Sequence, residues 1–174
     1  MTILETDRVI LRRLVPSDLA ALAALYGDPR VRRYFPEGIL SVAETVEELE
    51  WFLNGHPDFP QLGLWATIDK TTQAFIGRCG LLPWTIAGRQ EVEIAYLLDP
   101  ACWGRGLGTE IARALVQYGL RQLNLPRLIA LIDSGNQPSI RVAEAAGLAF
   151  ERNGEVEGTA CAIYAIEARS ALRR

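Results

Sequence analysis

Three glycines at alternate positions, Gly104, Gly106 and Gly108, lie in the run Trp103–Glu110, between an apolar strand-like segment and a helix-like one. Glycine readily adopts positive φ angles and, without a Cβ atom, lets a ligand approach the main chain closely. The helix that follows offers its unpaired first-turn N–H groups and the positive end of its dipole. This combination predicts a binding site for a phosphate-bearing ligand.

Two common phosphate-binding motifs do not match this loop. A P-loop requires a lysine after its last glycine, and no lysine follows Gly108. The dinucleotide motif requires Gly-x-Gly-x-x-Gly in an early strand–helix–strand unit, whereas this loop lies past the midpoint of the 174 residues. The simpler alternative is that the glycines only form a tight turn between a strand and a helix.

A second segment narrows the choice of ligand. An apolar run from Leu128 to Ile132 is followed by Asp133-Ser134-Gly135-Asn136-Gln137-Pro138-Ser139 and then by a short helical pattern that ends at Gly147-Leu148. Together with the opening phrase Glu5–Arg12 and the Trp-Gly-x-Gly form of the loop, this pattern resembles the GNAT superfamily of N-acetyltransferases. The resemblance is closest to the RimJ/RimL-like branch, which acetylates ribosomal proteins, and it covers nearly the whole chain.

The resemblance implies that the chain binds acetyl-CoA as acetyl donor. In the family, the glycine loop holds the pyrophosphate of acetyl-CoA, and an Asn-x-x-Ser segment one strand later contacts the pantetheine arm. Asn136 and Ser139 occupy those positions here. We expect the backbone groups of Leu97 and Leu98 to pair with the arm as an added strand would. The residues expected at the pyrophosphate are Trp103, Gly104, Arg105, Gly106, Leu107, Gly108 and Thr109.

The chain departs from the family pattern at three places. Trp103 stands where most members have arginine or glutamine at the head of the loop, a variant that the RimJ/RimL-like branch also uses. Gly147-Leu148 stands where Gly-Phe is common. Ala143 stands where many members have a tyrosine that protonates the departing thiolate, which excludes a tyrosine general acid at that position.

Acetyl transfer to an amine requires a base, because an ammonium group cannot attack a thioester. The segment Glu91-Val92-Glu93-Ile94-Ala95-Tyr96 leads to the glycine loop, and strand alternation places Glu91, Glu93 and Ala95 on one face. Partial burial would raise the pKa of Glu93 toward a useful value for a base, and the resemblance points to the same position. Glu93 is therefore the predicted base and Glu91 the weaker candidate. The alternative is an ordinary carboxylate on the sheet surface.

The departing CoA thiolate needs a proton, and Ser139 has the hydroxyl group of the Asn-x-x-Ser segment. The resemblance places Ser139 near the thioester, where we expect it to donate a hydrogen bond. Its alternative roles are helix capping and packing, and water is an alternative proton source. Asn136 has a donor and an acceptor that suit an amide of pantetheine, although asparagine also favours turns and helix caps.

The elements that must position these groups alternate between strands and helices. The sequence predicts strands at 8–14, 63–69, 75–82, 91–98, 127–133, 148–155 and 160–167, and a turn at 84–90. Capping signals predict helices that begin near Ser17 or Asp18 and at Ser41, and two more follow the glycine loop and Asn136. The predicted fold class is α/β (α+β): one domain over 1–174, with a mixed, mostly antiparallel sheet of about six to seven strands flanked by helices, as the resemblance also implies.

Composition predicts a soluble globular protein. Hydrophobic residues make up 49% of the chain and charged residues 22%, which argues against disorder. We expect a cytoplasmic location and no membrane association, because no apolar run reaches roughly 20 residues and the start of the chain has no basic and apolar leader. Three scattered cysteines and one histidine predict no metal site. The net charge of −3 argues against stable nucleic-acid binding.

The sequence leaves three functions open. The resemblance implies acetylation of the N-terminal α-amine of a protein, such as a ribosomal one. The second is acetylation of a small amine, namely a polyamine, an amino acid or an amine-bearing toxin, and the third is an acetyl-CoA sensor without turnover. Glu93 and Ser139 favour catalysis over sensing. We expect the acceptor groove between the early helices, the Tyr34-Phe35-Pro36 segment and the turn at 84–90, and a homodimer is one way to complete such a groove.

Overall fold

The computed structural model describes residues 1–168, which form an eight-stranded sheet with four α-helices. The strands are β1 (Thr2–Glu5), β2 (Val9–Arg13), β3 (Gly63–Asp69), β4 (Phe75–Ile86), β5 (Arg89–Leu98), β6 (Arg127–Ile132), β7 (Ala149–Val156) and β8 (Thr159–Glu167). The helices are α1 (Leu19–Tyr26), α2 (Val42–Phe52), α3 (Leu107–Gln117) and α4 (Gln137–Ala145). The sheet order is β1-β2-β3-β4-β5-β6-β8-β7. Every neighbouring pair is antiparallel except β5 and β6, which are parallel.

The two faces of the sheet carry separate hydrophobic clusters. One cluster contains Ile94 of β5 together with buried residues of α3 and α4, and we call this side the α3–α4 face. The other contains Leu97 of β5 together with buried residues of α1 and α2, and we call this side the α1–α2 face. Residues of β5 alternate between the two clusters, because successive side chains of a strand point to opposite faces. The helices therefore form a layer on each side of the sheet.

Helix α2 begins as the sequence predicts. The Ser41 N–H donates to Glu44 Oε2 at 2.7 Å, and the Glu44 N–H donates to Ser41 Oγ at 3.3 Å. This reciprocal capping satisfies two backbone donors at the end of the helix. Within residues 1–168, no helix is both long enough and apolar enough to cross a membrane.

Two details of the sheet differ from the sequence prediction. The strand count is eight rather than six or seven, since Thr2–Glu5 pairs with β2 at the edge of the sheet. Four residues are too few to show a clear alternation, which explains why this strand was missed. The predicted turn at 84–90 is wrong in extent, because strand pairing continues to Ile86 and Arg89. Only Ala87 and Gly88 form the turn, with φ of 48° and 78°, as two-residue hairpins require.

Candidate active site

The strands β5 and β6 separate in the middle of the sheet. Within residues 1–168 they pair at one position, Glu93 with Ile129, whereas β6 and β8 pair at six. The ends of the two parallel strands, residues 94–98 and 130–132, therefore border an opening, which we call the β5–β6 opening. Because the strands are parallel, the glycine loop after β5 and the Asn136 segment after β6 lie at the same edge of the sheet. The structure thus brings together the two motifs that the sequence analysis identified.

The glycine loop ends in an open helix N-terminus. Gly104 and Gly106 have φ of 70° and 75°, which side chains rarely adopt, so glycine is needed here for its backbone conformation. The first intrahelical bond of α3 runs from the Glu110 N–H to Gly106 O at 3.1 Å. The N–H groups of Leu107, Gly108 and Thr109 precede this bond and point out of the helix end. No side chain in the described part of the chain caps them.

Three hydrogen bonds that the sequence analysis did not foresee, from Arg8 and Trp103, hold this loop in place. Arg8 donates from Nε to Glu110 Oε2 at 2.6 Å and from Nη1 to Arg105 O at 2.8 Å. Trp103 donates from its indole Nε1 to Leu98 O at 2.9 Å, which ties the head of the loop to the end of β5. The one feature of the sequence that pointed to Arg8 is its position in the segment Glu5–Arg12, which contributes to the family resemblance. The exposed Arg105 side chain leaves the loop with a cation at its surface.

Glu93 lies in the middle of β5, where β5 and β6 begin to separate. Its side chain is partly exposed, and Trp84 Nε1 donates to its Oε2 at 2.7 Å. Burial raises the pKa of Glu93 to about 7, and the Trp84 hydrogen bond and the charge of Arg78 partly oppose this rise. A carboxylate with this pKa can both accept and release a proton near neutral pH. From sequence, Trp84 was expected in the turn at 84–90 as a candidate lining residue of the acceptor groove, so its hydrogen bond to Glu93 was not foreseen.

Glu91 lies two residues before Glu93 and has a different environment. Its carboxylate is buried and accepts from Arg127 Nε at 3.1 Å, with Arg89 Nε at 3.4 Å. Arg127 also pairs with Glu151 and Glu167. Glu91 therefore belongs to an ion-pair network between strands, and Glu93 is the better candidate for a base.

The Asn136 segment forms the start of α4. Asn136 Oδ1 accepts from the Ser139 N–H at 3.3 Å, so the capping alternative is confirmed for Asn136. The Ser139 hydroxyl lies 3.0 Å from the Tyr96 hydroxyl, which also donates to Ser139 O at 3.0 Å. Burial raises the pKa of Tyr96 to about 12, so its phenol stays protonated at neutral pH. Tyr96 was not singled out from sequence, since 43 residues separate it from Ser139.

The remaining predicted site residues lie around the β5–β6 opening, on both faces of the sheet. Leu97 and Leu98 form the end of β5 beside the β5–β6 opening, and the side chain of Leu107 is buried, so only its main chain can meet a ligand. Glu93 faces the opening from the α1–α2 face of the sheet, whereas Ser139 and Tyr96 lie on the α3–α4 face. Within residues 1–168, no group of three or more His, Cys, Asp or Glu side chains could hold a metal ion.

These residues fit acetyl-CoA. Outward N–H groups and positive-φ glycines suit a pyrophosphate, and the exposed strand edge suits the amides of pantetheine. A model of the acetyltransferase (GNAT) domain family matches residues 8–149. The Bacillus subtilis protein YkkB is 35% identical over 164 residues, which cover 94% of this chain and 94% of YkkB.

Solved structures of the same fold include two acetyltransferases. A GNAT-family acetyltransferase from Bacillus anthracis has a TM-score of 0.82 and 22% identity, with 97% of this chain and 99% of that chain covered. A spermidine N-acetyltransferase from Vibrio cholerae, in complex with CoA and spermine, has a TM-score of 0.77 and 18% identity, with 96% and 99% covered. At these identities the likeness establishes the fold.

Proposed function

The chain belongs to the GNAT acetyltransferase family, and on that premise we propose that it transfers an acetyl group from acetyl-CoA to a primary amine that attacks the thioester directly. The observation that carries this proposal is the position of Glu93, whose pKa is raised to about 7 at the point where β5 and β6 separate. An acetyl-CoA sensor would not require such a base. The active site therefore favours turnover.

The residues at the β5–β6 opening divide the binding of acetyl-CoA among them. The N–H groups of Leu107, Gly108 and Thr109, with the nearby guanidinium of Arg105, would hold the pyrophosphate. The main chain of Leu97 and Leu98 would pair with the pantetheine arm. Asn136 uses its Oδ1 atom as a helix cap, which leaves its Nδ2 group to donate to an amide of the same arm.

The reaction needs proton movements on both faces of the sheet. When bound, acetyl-CoA supplies the acetyl group as a thioester. Glu93 accepts one proton from the ammonium and releases it to solvent, so that the neutral amine nitrogen can attack and form the new C–N bond. As the C–S bond breaks, the nitrogen loses its second proton to water. Ser139 Oγ would donate a proton to the thiolate sulfur and recover one from water, and the Tyr96 hydroxyl supports Ser139 from 3.0 Å away. Water is the alternative proton donor.

We propose two classes of acceptor. The first is the N-terminal α-amine of a protein, as the resemblance to the RimJ/RimL-like branch implies. The second is a small amine. Arg78 and the neighbouring Arg32 are buried on the same face of the sheet as Glu93, which favours an acidic small amine over a polyamine within this class. Both classes use the same base and the same thioester chemistry.

Mass spectrometry of products formed from acetyl-CoA and a panel of N-terminal peptides and small amines tests the proposal. We expect acetylated product with the wild type, almost none with Glu93→Gln, and normal product with Glu155→Gln, which alters an exposed carboxylate on β7. Acetylated peptides would support the first class of acceptor, and acetylated small amines alone the second. Retained acetyl-CoA binding without any product would contradict the proposal and favour a sensor.

A further inference from the structure

Two arginines are buried on the α1–α2 face of the sheet. Arg78 of β4 and Arg32, in the segment between α1 and α2, are each 5% exposed. In the β4–β5 ladder Arg78 lies opposite Leu97, and Glu93 lies opposite Leu82. Paired residues share a face, as do residues two apart on a strand, so Arg78 and Glu93 are on the same face.

Arg78 contacts no counter-ion directly in the part of the chain that the structure describes. Its Nε donates to Tyr26 Oη at 2.8 Å, and the Tyr26 hydroxyl in turn bonds to the Glu48 carboxylate. None of the ion pairs formed by residues 1–168 involves Arg78. The Glu48 carboxylate therefore stabilises Arg78 from a distance, and the phenol of Tyr26 lies between them in the hydrogen-bond chain.

The outer nitrogens of Arg78 are available to a ligand. Neither Nη atom has a hydrogen-bond acceptor among residues 1–168, yet neither is a fully enclosed unpaired atom, since the enclosed unpaired atoms are Arg13 Nη1 and Thr67 Oγ1. Each Nη group therefore keeps a narrow opening to solvent. A guanidinium presents its N–H groups in a planar fork that matches both oxygens of a carboxylate.

Arg32 adds a second cation beside Arg78. Its guanidinium carbon lies 4.1 Å from the centroid of the Phe35 ring, and that of Arg78 lies 6.0 Å from the same centroid. The carboxylate that pairs with Arg32 belongs to Glu37, which is 62% exposed, at 3.1 Å. Burial and the charge of Arg78 lower the pKa of Arg32. Arg32 Nε also donates to Gly38 O at 2.7 Å, so Arg32 has direct partners, whereas the Nη groups of Arg78 have none among residues 1–168.

A buried charge without an ion-pair partner is costly, and a carboxylate is the partner that would reduce this cost most directly for Arg78. The same two cations would repel a polyamine. We propose that the amine acceptor carries a carboxylate, which Arg78 and Arg32 bind while Glu93 takes the proton from the amine. This inference rests on the proposed acetyl transfer and names the chemical class of its acceptor.

The geometry also limits the distance between the two groups of the acceptor. Arg78 lies opposite Leu97, four residues along β5 from Glu93. At about 3.3 Å per residue this is about 13 Å between Cα positions, part of which the arginine and glutamate side chains span. The carboxylate of the acceptor should therefore lie several bonds from its amine. Such a carboxylate could belong to an acidic small amine or to an acidic residue close to a protein N-terminus.

The experiment compares acceptors that differ only in charge. Glutamate with glutamine and aspartate with asparagine test the small-amine source, and peptides with Glu or Gln as the second residue test the peptide source. Spermidine serves as a cationic acceptor. For small amines or for peptides, we expect kcat/KM to be about tenfold or more higher with the acidic acceptor than with its amide. The difference should lie mainly in KM, since a bidentate charged contact contributes about 1.5–3 kcal/mol.

Variants then assign the selectivity to the two arginines. Arg78→Met and Arg32→Met should bring the ratio of acid to amide close to one, and Arg78→Lys should give an intermediate ratio, because lysine keeps the charge and loses the fork. Arg121→Met, which removes an exposed arginine after α3, is the matched control. Because a variant at Arg78 could fold poorly, calorimetric titration of CoA-bound wild type with glutamate and glutamine gives a second measurement.

The possible failures can be distinguished. Equal use of acid and amide, or preference for spermidine, overturns the inference and leaves the acetyltransferase proposal intact. Acid preference that survives in both methionine variants overturns the role of the arginines. If no amine is acetylated, the proposed function fails, and the calorimetry alone decides the inference: tighter binding of glutamate supports a carboxylate site, and equal binding overturns it.

Discussion

The two faces of β5 differ sharply although they belong to one strand. Toward α3 and α4 the strand presents Val92, Ile94 and Tyr96, which join a large apolar cluster, and the phenol of Tyr96 is the polar group that β5 contributes to it. Toward α1 and α2 it presents Glu93, on the side where Arg78 is also buried. One face is thus packed for stability, and the other holds ionisable groups that cost stability when buried.

The packing of one face of β5 makes the chemistry of the other face possible. The apolar packing on the α3–α4 face fixes the position of β5. The strand can therefore carry a carboxylate with a raised pKa on its opposite face without shifting. Protonation of the CoA thiolate does not require a buried charge, because Ser139 and Tyr96 are neutral hydroxyls that lie 3.0 Å apart. Variants on the two faces should therefore have different signatures in kinetics and in stability.

The largest effect is expected from Glu93→Gln. This substitution removes the negative charge of Glu93 from the α1–α2 face and keeps the size and shape of the side chain. Without a base at this position, kcat should fall by about 10²–10⁴. Affinity for acetyl-CoA should stay within about twofold, because the residues proposed to bind it are elsewhere. Steady-state kinetics between pH 6 and 9, with calorimetry of acetyl-CoA binding, measures both quantities.

Glu91→Gln is the matched comparison on the same strand face. It disturbs the network around Arg127, so the thermal midpoint should fall while kcat is kept, with a cost of about 1–3 kcal/mol for the weakened ion pair. Unchanged turnover of Glu93→Gln across the pH range would remove Glu93 from the mechanism.

Gly106→Val tests the glycine loop rather than the faces of the sheet. Valine cannot easily adopt φ of 75°, and its branched side chain would stand at the helix end where the pyrophosphate is expected. Acetyl-CoA should bind about 100-fold more weakly, which combines backbone strain with obstruction. Gly158→Val is a fair control, since Gly158 has φ of 80° in the β7–β8 turn. Equal calorimetric affinity for both folded variants would contradict the loop assignment.

Local signals in the sequence were enough to place most elements of the fold. The reciprocal cap of Ser41 and Glu44 and the alternate glycines depend on neighbours within a few residues, so the sequence contains them in full. Strand β3 has the predicted bounds, 63–69, because turn signals flank it on both sides. The short β1 was missed because four residues show too little alternation to predict a strand. The extent of the β4–β5 hairpin was missed because its turn has only two residues.

The contacts that shape the active site could not be read in this way. Tyr96 meets Ser139 across 43 residues, Arg78 meets Tyr26 across 52, and Arg8 meets Glu110 across 102. Each contact exists only because sheet order and helix packing bring distant segments together. Sequence alternation predicted the face of Glu93, but the indole of Trp84 that bonds to it became visible only once the hairpin was seen to extend. The role of Glu93 as base stays a prediction.

Trp84→Phe should produce a moderate effect with a defined sign. The indole N–H stabilises the ionised form of Glu93 from 2.7 Å, so its loss raises the pKa above the present value of about 7. A hydrogen bond to a charged group contributes about 1.5 kcal/mol, which corresponds to about one pKa unit. The rising limb of the plot of kcat against pH should move up by about one unit, with the plateau kept.

This shift means about tenfold lower activity near pH 6 and little loss near pH 9. Trp51→Phe, which changes an exposed indole on α2, should leave the profile in place. A limb that stays fixed in Trp84→Phe, or that moves to lower pH, would show that the titrating base is not Glu93.

Tyr96→Phe should have the smallest effect and gives the sharpest test of the apolar face. Removing the phenol takes away its hydrogen bond to the Ser139 hydroxyl, worth about 1 kcal/mol, and its bond to Ser139 O, so kcat should fall about fivefold or somewhat more while KM for acetyl-CoA is kept. Tyr118→Phe, which removes a hydroxyl elsewhere on the same face, controls for loss of packing.

The double variant decides whether the phenol acts through Ser139. Ser139→Ala should lower kcat more than Tyr96→Phe, and adding Tyr96→Phe to it should cost nothing further if the two hydroxyls form one unit. Additive losses would mean that Tyr96 acts independently of Ser139, through the packing of α4. If Ser139→Ala instead keeps the wild-type kcat, water protonates the thiolate. The α3–α4 face would then contribute position alone, and all of the proton chemistry of the protein would belong to the face that carries Glu93.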